Sequence, residues 1–309
     1  MYRSYSLKKY IKNWMTMSFR YTKDNNRLTT EQRIFYEKNG YIVFPNFVPQ
    51  NILDKCSKRF DDIVADRVSR EGITVMYDVK DKKSVNKLQD IAQDPVFREY
   101  IEYKEILDVI ECFTGPNILA IHSMLIAKPP DIGYGSSRHP PHQDMYYFPL
   151  RPIDRIAAVW TAMETCDSTN GCLYVAPGTH RIGKVLNHDY PPSTEGPINK
   201  FYHGIQDLPN EMKNWVNLEM KVGDTVFFHP LLIHGSGVNK SKNSRRAISS
   251  HYAAAECTVV ETNSAQEPIK KEVLEFATKK FPGITLTYED IWRFKSSLVR
   301  GLRSSFLKV

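Results

Sequence analysis

No stretch of the 309 residues approaches the roughly eighteen uninterrupted apolar residues that a membrane-spanning helix needs. The longest apolar runs, such as TVFFHPLLI, contain turn-forming residues, and the sequence therefore predicts a soluble protein with no transmembrane segment. Cysteine is sparse and unpaired in pattern. Cys56, Cys112, Cys166, Cys172 and Cys257 are odd in number, scattered and without a CxxC, which argues against a disulfide framework and a thiolate metal site and fits a reducing compartment. Internal repeats and low-complexity tracts are absent, and the chain ends in FLKV, not in the Ser-Lys-Leu peroxisomal address. Acidic residues are missing from residues 1–23, where Arg3, Lys8, Lys9, Lys12, Arg20 and Lys23 supply most of the net charge of +7. That charge alone admits phosphorylated metabolites, membrane surfaces or nucleic acid as partners, but the rest of the chain is near neutral. The basic, Ser- and Tyr-containing opening reads as a flexible arm or an organelle presequence of the mitochondrial type, assigned to residues 1–28.

What remains is ordinary globular composition, with 41% hydrophobic and 25% charged residues. LTTEQRIFYEKNG reads as a helix capped at Thr29 or Thr30 and stopped by Gly40, followed by a short strand, YIVFPNF. Residues 50–70 and 96–113 carry apolar positions at helical spacing, Ile52, Cys56, Phe60 and Ile63 among them. From about 117 to 260 the pattern changes to β-branched and aromatic runs split by Pro, Gly, Asn and Asp: NILAIHSMLIAKP, RIAAVWTAME, GCLYVAPGTH, GDTVFFHPLLIHG and RRAISSHYAAAECTVV. Consecutive strands without long intervening helices predict an antiparallel sandwich or barrel, a mainly β fold with flanking helices. Helical periodicity returns at EVLEFATKKF and DIWRFKSSLV.

The sharpest local feature is HPPHQD, in which His142 and Asp144 stand two apart and, on an extended strand, share a face. A His and a carboxylate presented together suit a divalent metal. Non-haem Fe(II) oxygenases complete such a pair with a second His and leave positions open for cosubstrate and oxygen. An HxD triplet alone is weak evidence in a chain with nine histidines. Its weight comes from GDTVFFHPLLIHGSGVNKSKNSRR, which adds a histidine at the end of a β-like run and then a basic pair. His229 and His234 compete there, because Pro230 breaks the alternation. The Gly-Ser-Gly after His234 favours a strand end at a pocket rim, while His229 reads as a hydrogen-bonded core histidine. Arg245 and Arg246 are adjacent, so one faces inward and the other out; a buried guanidinium fork suits the distal end of a dicarboxylate. Two other readings use the same residues: a zinc hydrolase on His142, Asp144 and His234, and a non-enzymatic jelly-roll binding module whose histidines are packing residues.

The ordered segments KPPDIGYGSSRHPPHQDMYYFPLRP, NGCLYVAPGTHR, HDYPPS, FYHGIQD and GDTVFFHPLLIHGSGVNK resemble the phytanoyl-CoA dioxygenase family, as do TKDNNRLTTEQRIFYEKNGYIVF, NKLQD, ECFTGPNI and DIWRF. The resemblance implies a double-stranded β-helix, the cupin-like jelly roll, within a single oxygenase domain over 29–309. It implies His142, Asp144 and His234 as Fe2+ ligands, and Arg245 on the carboxylate of the cosubstrate 2-oxoglutarate. Lys87, Met124, Gln143 and Trp160 fall on positions lining the cosubstrate pocket; without the resemblance, Met124 and Trp160 would be read as core. It further implies an acyl-CoA substrate, phytanoyl-like and 3-methyl-branched, with O2 as co-reactant, ascorbate to keep the iron reduced, no nucleic-acid partner, a place in fatty-acid α-oxidation and residence in the peroxisome. Asp144 implies hydroxylation, since related halogenases carry a small residue there. Two departures accompany it: nothing like the family's cleaved peroxisomal signal occurs in residues 1–28, and the loop between Val79 and Lys87 is shorter than the family leads one to expect.

Overall fold

A computed structural model describes residues 19–192, 195–302, 304, 306 and 307. The first helix forms where its caps dictate. In α1 (Thr30–Asn39), the Thr29 side chain accepts from Gln32 N, Gln32 Oε1 accepts from Thr29 N, and Gly40 closes the helix at φ 80° with its N–H on Tyr36 O. In α2 (Gln50–Val64) the predicted stripe of Ile52, Cys56, Phe60 and Ile63 is buried. The next helical region is two helices, α3 (Pro95–Ile101) and α4 (Lys104–Thr114). Asp94 caps α3 through Val96 N and Phe97 N, and Tyr103, at ψ 122°, breaks the spiral between the two.

The strands are, in chain order, β1 (Tyr41–Phe44), β2 (Thr74–Tyr77), β3 (Val85–Gln89), β4 (Ile118–Lys128), β5 (His139–His142), β6 (Leu150–Arg151), β7 (Ile156–Ala162), β8 (Leu173–Val175), β9 (His188–Asp189), β10 (Gly204–Ile205), β11 (Val216–Leu218), β12 (Thr225–Phe228), β13 (His234–Ser236), β14 (Arg245–Ala254), β15 (Thr258–Val259) and β16 (Ser297–Arg300). The larger sheet runs β1-β12-β7-β14-β4-β3-β2, with β16 on the edge of β4 that β3 leaves free; the smaller runs β11-β8-β13-β5. Every ladder in the two sheets is antiparallel, as in the expected jelly roll. An apolar layer joins the sheets, with Trp160, Val226, Phe228 and Ala247 meeting Leu173, Val175 and Leu218. On the outer face of the larger sheet, Phe60, Phe97, Tyr100 and Phe113 of the helices bury Ala157, Val159, Ile248 and Tyr252. Two more helices, α5 (Glu267–Lys280) and α6 (Tyr288–Lys295), pack toward one end of the sandwich.

The sequence reading differs from the fold in three places. The run GDTVFFHPLLIHG is two strands in different sheets, because the chain crosses from β12 to β13 through Pro230. The tail of DIWRFKSSLV is not helix: Ser297–Arg300 pairs with β4, whose open edge outweighs the local helical spacing. Finally, residues 20–28, assigned to the basic arm, are fastened to the body. Glu37, buried in α1, accepts from Arg20 N, Tyr21 N, Thr22 N and Thr22 Oγ1, and Lys23 N bonds Cys112 O. Burying the acid is tolerable because its oxygens are saturated with donors. The remainder of the arm, 1–18, lies outside the described residues.

Among the described residues no helix is long and apolar enough to cross a membrane. All five cysteines are buried and free of disulfides.

Candidate metal centre

One irregularity sets the aim of the site. Opposite β14, residue 121 of β4 has no partner: His251 faces His122, and Tyr252 faces Ala120. The bulge shifts the alternation. Before it, Ile118 and Ala120 pack under the helices; after it, Leu125 and Ala127 do, while His122, Met124 and Ile126 turn to the interior between the sheets. On unbulged β14 the interior face carries Arg245, Ser249 and His251.

His142 ends β5 and His234 begins β13, and the two are direct cross-strand partners. Gln143 is still extended, at φ −117° and ψ 128°, so Asp144 returns to the face of His142. His142 Nε2 and His234 Nε2 lie 3.4 Å and 3.5 Å from the same oxygen, Asp144 Oδ1. Each ring is held from behind, His142 Nδ1 on Pro140 O at 2.9 Å and His234 Nδ1 on Leu232 O at 3.0 Å. A carbonyl can only accept, so each Nδ1 carries a proton and Nε2 is the atom each ring turns inward, the arrangement that metal-binding histidines use. The three side chains are buried and form a candidate metal cluster. Burial drives the His234 ring down to about 4, keeping it neutral and able to ligate. For Asp144, burial pushes the carboxyl upward, but the His234, His251 and His142 rings around it prevail, leaving it well below the usual carboxylate range.

Asp144 Oδ2, the other carboxylate oxygen, takes His251 Nε2 at 2.9 Å. His251 in turn stacks on His122, ring centres 5.9 Å apart. The sequence reading missed His251, although it sits six residues from Arg245 on one strand and so had to share its face. Partners of this kind are worth roughly 10- to 100-fold in metal affinity. His251→Ala is therefore expected to weaken Fe2+ binding by about that factor, measured by titration of the protein with Fe2+ under nitrogen; unchanged affinity would show that Asp144 needs no such orientation.

Across a small chamber from these residues lies Arg245, 2% exposed. Its Nη2 donates to Gly171 O at 2.9 Å, and the guanidinium lies over the Trp160 ring, 5.3 Å from its centre. The Arg245 Nε and Nη1 atoms are buried without a hydrogen-bond partner among the described residues. Leaving charged donors buried and unmet is costly, so the chamber is built to receive an acceptor, and a carboxylate matches the fork. Gly171 is required beside it: at φ 77°, a Cβ there would stand 2.5 Å from Gly237 O. Lys128, pinned by Ser137 O, Ser236 Oγ and Gly237 O, is a second buried basic group near Arg245, and burial and then the Arg245 guanidinium push it well below the ordinary lysine range. Arg246 points outward to Ser57 and Asp61, and His229 is a core histidine 3.4 Å from Asp154, packed edge-on to Tyr21.

The remaining sequence-picked residues separate. Trp160 and Met124 line the Arg245 chamber. Lys87 does not; it lines a larger cleft of about 350 Å³ on the other side of His142 and Asp144, with its ammonium 4.3 Å from the centre of the Tyr202 ring. Burial brings that ammonium down to about 7. Gln143 lines neither space. Its amide nitrogen donates to Lys184 O and Leu231 O and its oxygen accepts from Leu186 N, so the side chain braces the loop behind the site.

Comparison with known proteins places this geometry. Human peroxisomal phytanoyl-CoA dioxygenase is 49% identical over 297 residues, spanning 93% of this chain and 87% of the human one. The probable phytanoyl-CoA dioxygenase of Caenorhabditis elegans is 46% identical over 306 residues, spanning 92% and 97%. Among solved structures, EctD from S. alaskensis with 2-oxoglutarate and 5-hydroxyectoine superposes with a TM-score of 0.60 at 18% identity over 78% of this chain and 82% of its own, a likeness of fold. The epimerase SnoN in complex with Fe3+, alpha ketoglutarate and nogalamycin RO gives 0.59 at 18% identity over 75% and 86%. The profile of the family described as Phytanoyl-CoA dioxygenase (PhyH) matches residues 36–247, and the chain belongs to that family.

Proposed function

We propose that this protein is an Fe(II)- and 2-oxoglutarate-dependent dioxygenase that hydroxylates C2 of an acyl-CoA, with a 3-methyl-branched, phytanoyl-like chain as the preferred substrate. The observation that carries the reading is one chamber bounded by two inward-facing imidazole Nε2 atoms, one buried carboxylate and a guanidinium with two unpartnered nitrogens. With iron bound, the centre supplies oxidative decarboxylation of 2-oxoglutarate by O2, giving succinate, carbon dioxide and one oxygen atom inserted as hydroxyl. His142, Asp144 and His234 hold the metal, and Arg245 clamps the distal carboxylate of the cosubstrate. Met124 and Trp160 shape the chamber and keep water from it. Lys87 lines the adjoining cleft beside His142 and Asp144.

Arg245 also separates this reading from a zinc hydrolase, whose chemistry has no use for a dicarboxylate clamp, and from a binding module, whose core would not leave a guanidinium unpaired. Residues 29–309 act as a single oxygenase domain with its jelly-roll core at about 117–260, ascorbate maintains the ferrous state, and the protein serves fatty-acid α-oxidation in the peroxisome, the compartment that the name of the human relative prints. Incubation with phytanoyl-CoA, 2-oxoglutarate, Fe(II), ascorbate and O2 is expected to give 2-hydroxyphytanoyl-CoA and succinate in equal amounts. Succinate that forms at the same rate without acyl-CoA would refute the substrate assignment.

A further inference from the structure

The cleft beside the metal cluster runs away from Asp144 and Tyr147 between β3, β4 and the helix pair α5 and α6. Its far wall comes from Phe276, Ala277, Phe281, Ile284, Ile291 and Phe294. Ile284 and Phe294 are 55% and 53% exposed at its mouth, an unusual concentration of large apolar side chains in water. At the helix wall Lys280 Nζ donates to Thr74 Oγ1 at 2.7 Å, Lys295 pairs with Asp90, and Thr74 donates to Asp90, while His122 Nδ1, His139 Nε2, His251 Nδ1 and Trp292 Nε1 are buried without a partner among the described residues.

We infer that α5 and α6 form the acyl-tail groove, and that Ala277 sets how much chain it admits. The inference rests on the acyl-CoA reading above and goes beyond it in naming the wall that selects the tail. The pantetheine arm of CoA brings amides that need hydrogen-bond partners, and this wall has few to offer; a hydrocarbon tail needs none. The groove opens directly onto His142 and Asp144, so a tail lying in it leaves the thioester end at the metal cluster. The wall is also tied to that cluster. Glu272 of α5 takes His203 Nε2 at 2.9 Å and Tyr190 Oη at 2.7 Å, and His203 Nδ1 meets the hydroxyl of Tyr146, two residues past Asp144, at 2.8 Å. Ala277, 7% exposed, is the smallest side chain in the wall, and a phenyl ring at that position would narrow the lumen.

Each sheltered methylene is worth about fourfold in affinity, so tail length becomes the readout. Dissociation constants of palmitoyl-CoA and butyryl-CoA are measured by calorimetric titration, under nitrogen, of the protein loaded with Fe(II) and 2-oxoglutarate, in wild type, A277F and I284D. Wild type is expected to favour palmitoyl-CoA by at least about a hundredfold. A277F is expected to cut that ratio at least tenfold. Ile284→Asp, at the exposed mouth where folding is not at risk, is expected to lower it severalfold. A palmitoyl-to-butyryl ratio unchanged in both variants overturns the groove. Wild-type protein that binds neither thioester overturns the acyl-CoA reading itself, a result distinct from equal binding in all three proteins.

Discussion

Asp144→Ala is expected to reduce acyl-CoA-dependent succinate formation below about one-thousandth of wild type, since a lost ligand exceeds the roughly 10- to 100-fold that outer-shell partners are worth. The carboxylate does three things at once. Its Oδ1 faces both imidazole Nε2 atoms, its charge keeps a cationic metal favourable in a buried site, and its Oδ2 anchors His251. Alanine removes all three and leaves a cluster of rings with no anion among them. Asp144→Asn isolates the charge, because the amide keeps the shape; an equally deep loss is expected there, with Fe2+ binding measured in parallel. Hydroxylation surviving in either variant at more than a tenth of wild type would remove Asp144 from the ligand set.

Arg245→Ala is expected to raise the apparent KM for 2-oxoglutarate while leaving kcat at saturating cosubstrate comparatively intact. Truncating one partner of a buried, hydrogen-bonded charge pair costs about 2–5 kcal/mol, a factor of roughly 30 to several thousand. Arg245 meets the conditions for the upper part of that range, being buried, fixed over Trp160 and already committed through only one nitrogen. Arg245→Lys should recover part of the loss, since the charge returns without the planar fork. The same residue makes an opposite prediction for the ligand-free protein. An unmatched buried cation costs stability, so Arg245→Met should unfold at the same temperature as wild type or higher, and 2-oxoglutarate should raise the melting temperature of wild type only. A KM unchanged by Arg245→Ala would place the clamp elsewhere, Lys128 being the nearby buried basic group.

How much of this was legible in the sequence depends on whether local alternation survived. His142 and Asp144 were found by counting in twos, and Gln143 being extended is what makes the count valid. The same count, applied strictly, puts Gln143 on the opposite face, where the structure has it; the family resemblance drew it into the pocket instead. His234 could not be told from His229 by pattern, because Pro230 is where the chain changes sheets and the pairing of His234 with His142 is made across 91 intervening positions of other structure. The bulge at residue 121 leaves no local sign, yet it decides that His122 and Met124 face the interior. Ser297–Arg300 read as the end of a helix because its only reason to be a strand is the free edge of β4, far away in sequence. Arg245 over Arg246 follows from alternation only once the inner face of β14 is known, and that face is set by the packing of Ile248 and Tyr252 under the helices.

The most direct test of the central claim is anaerobic addition of Fe(II) and then 2-oxoglutarate to the purified protein, followed by its visible absorption spectrum. Chelation of the cosubstrate to ferrous iron gives a charge-transfer band, which should appear in wild type, saturate at one equivalent of iron, and be missing in Asp144→Ala. In Arg245→Ala it should form only at much higher 2-oxoglutarate. Intact, folded wild-type protein that gives no such band would contradict the assignment of His142, Asp144, His234 and Arg245 to an iron and 2-oxoglutarate centre.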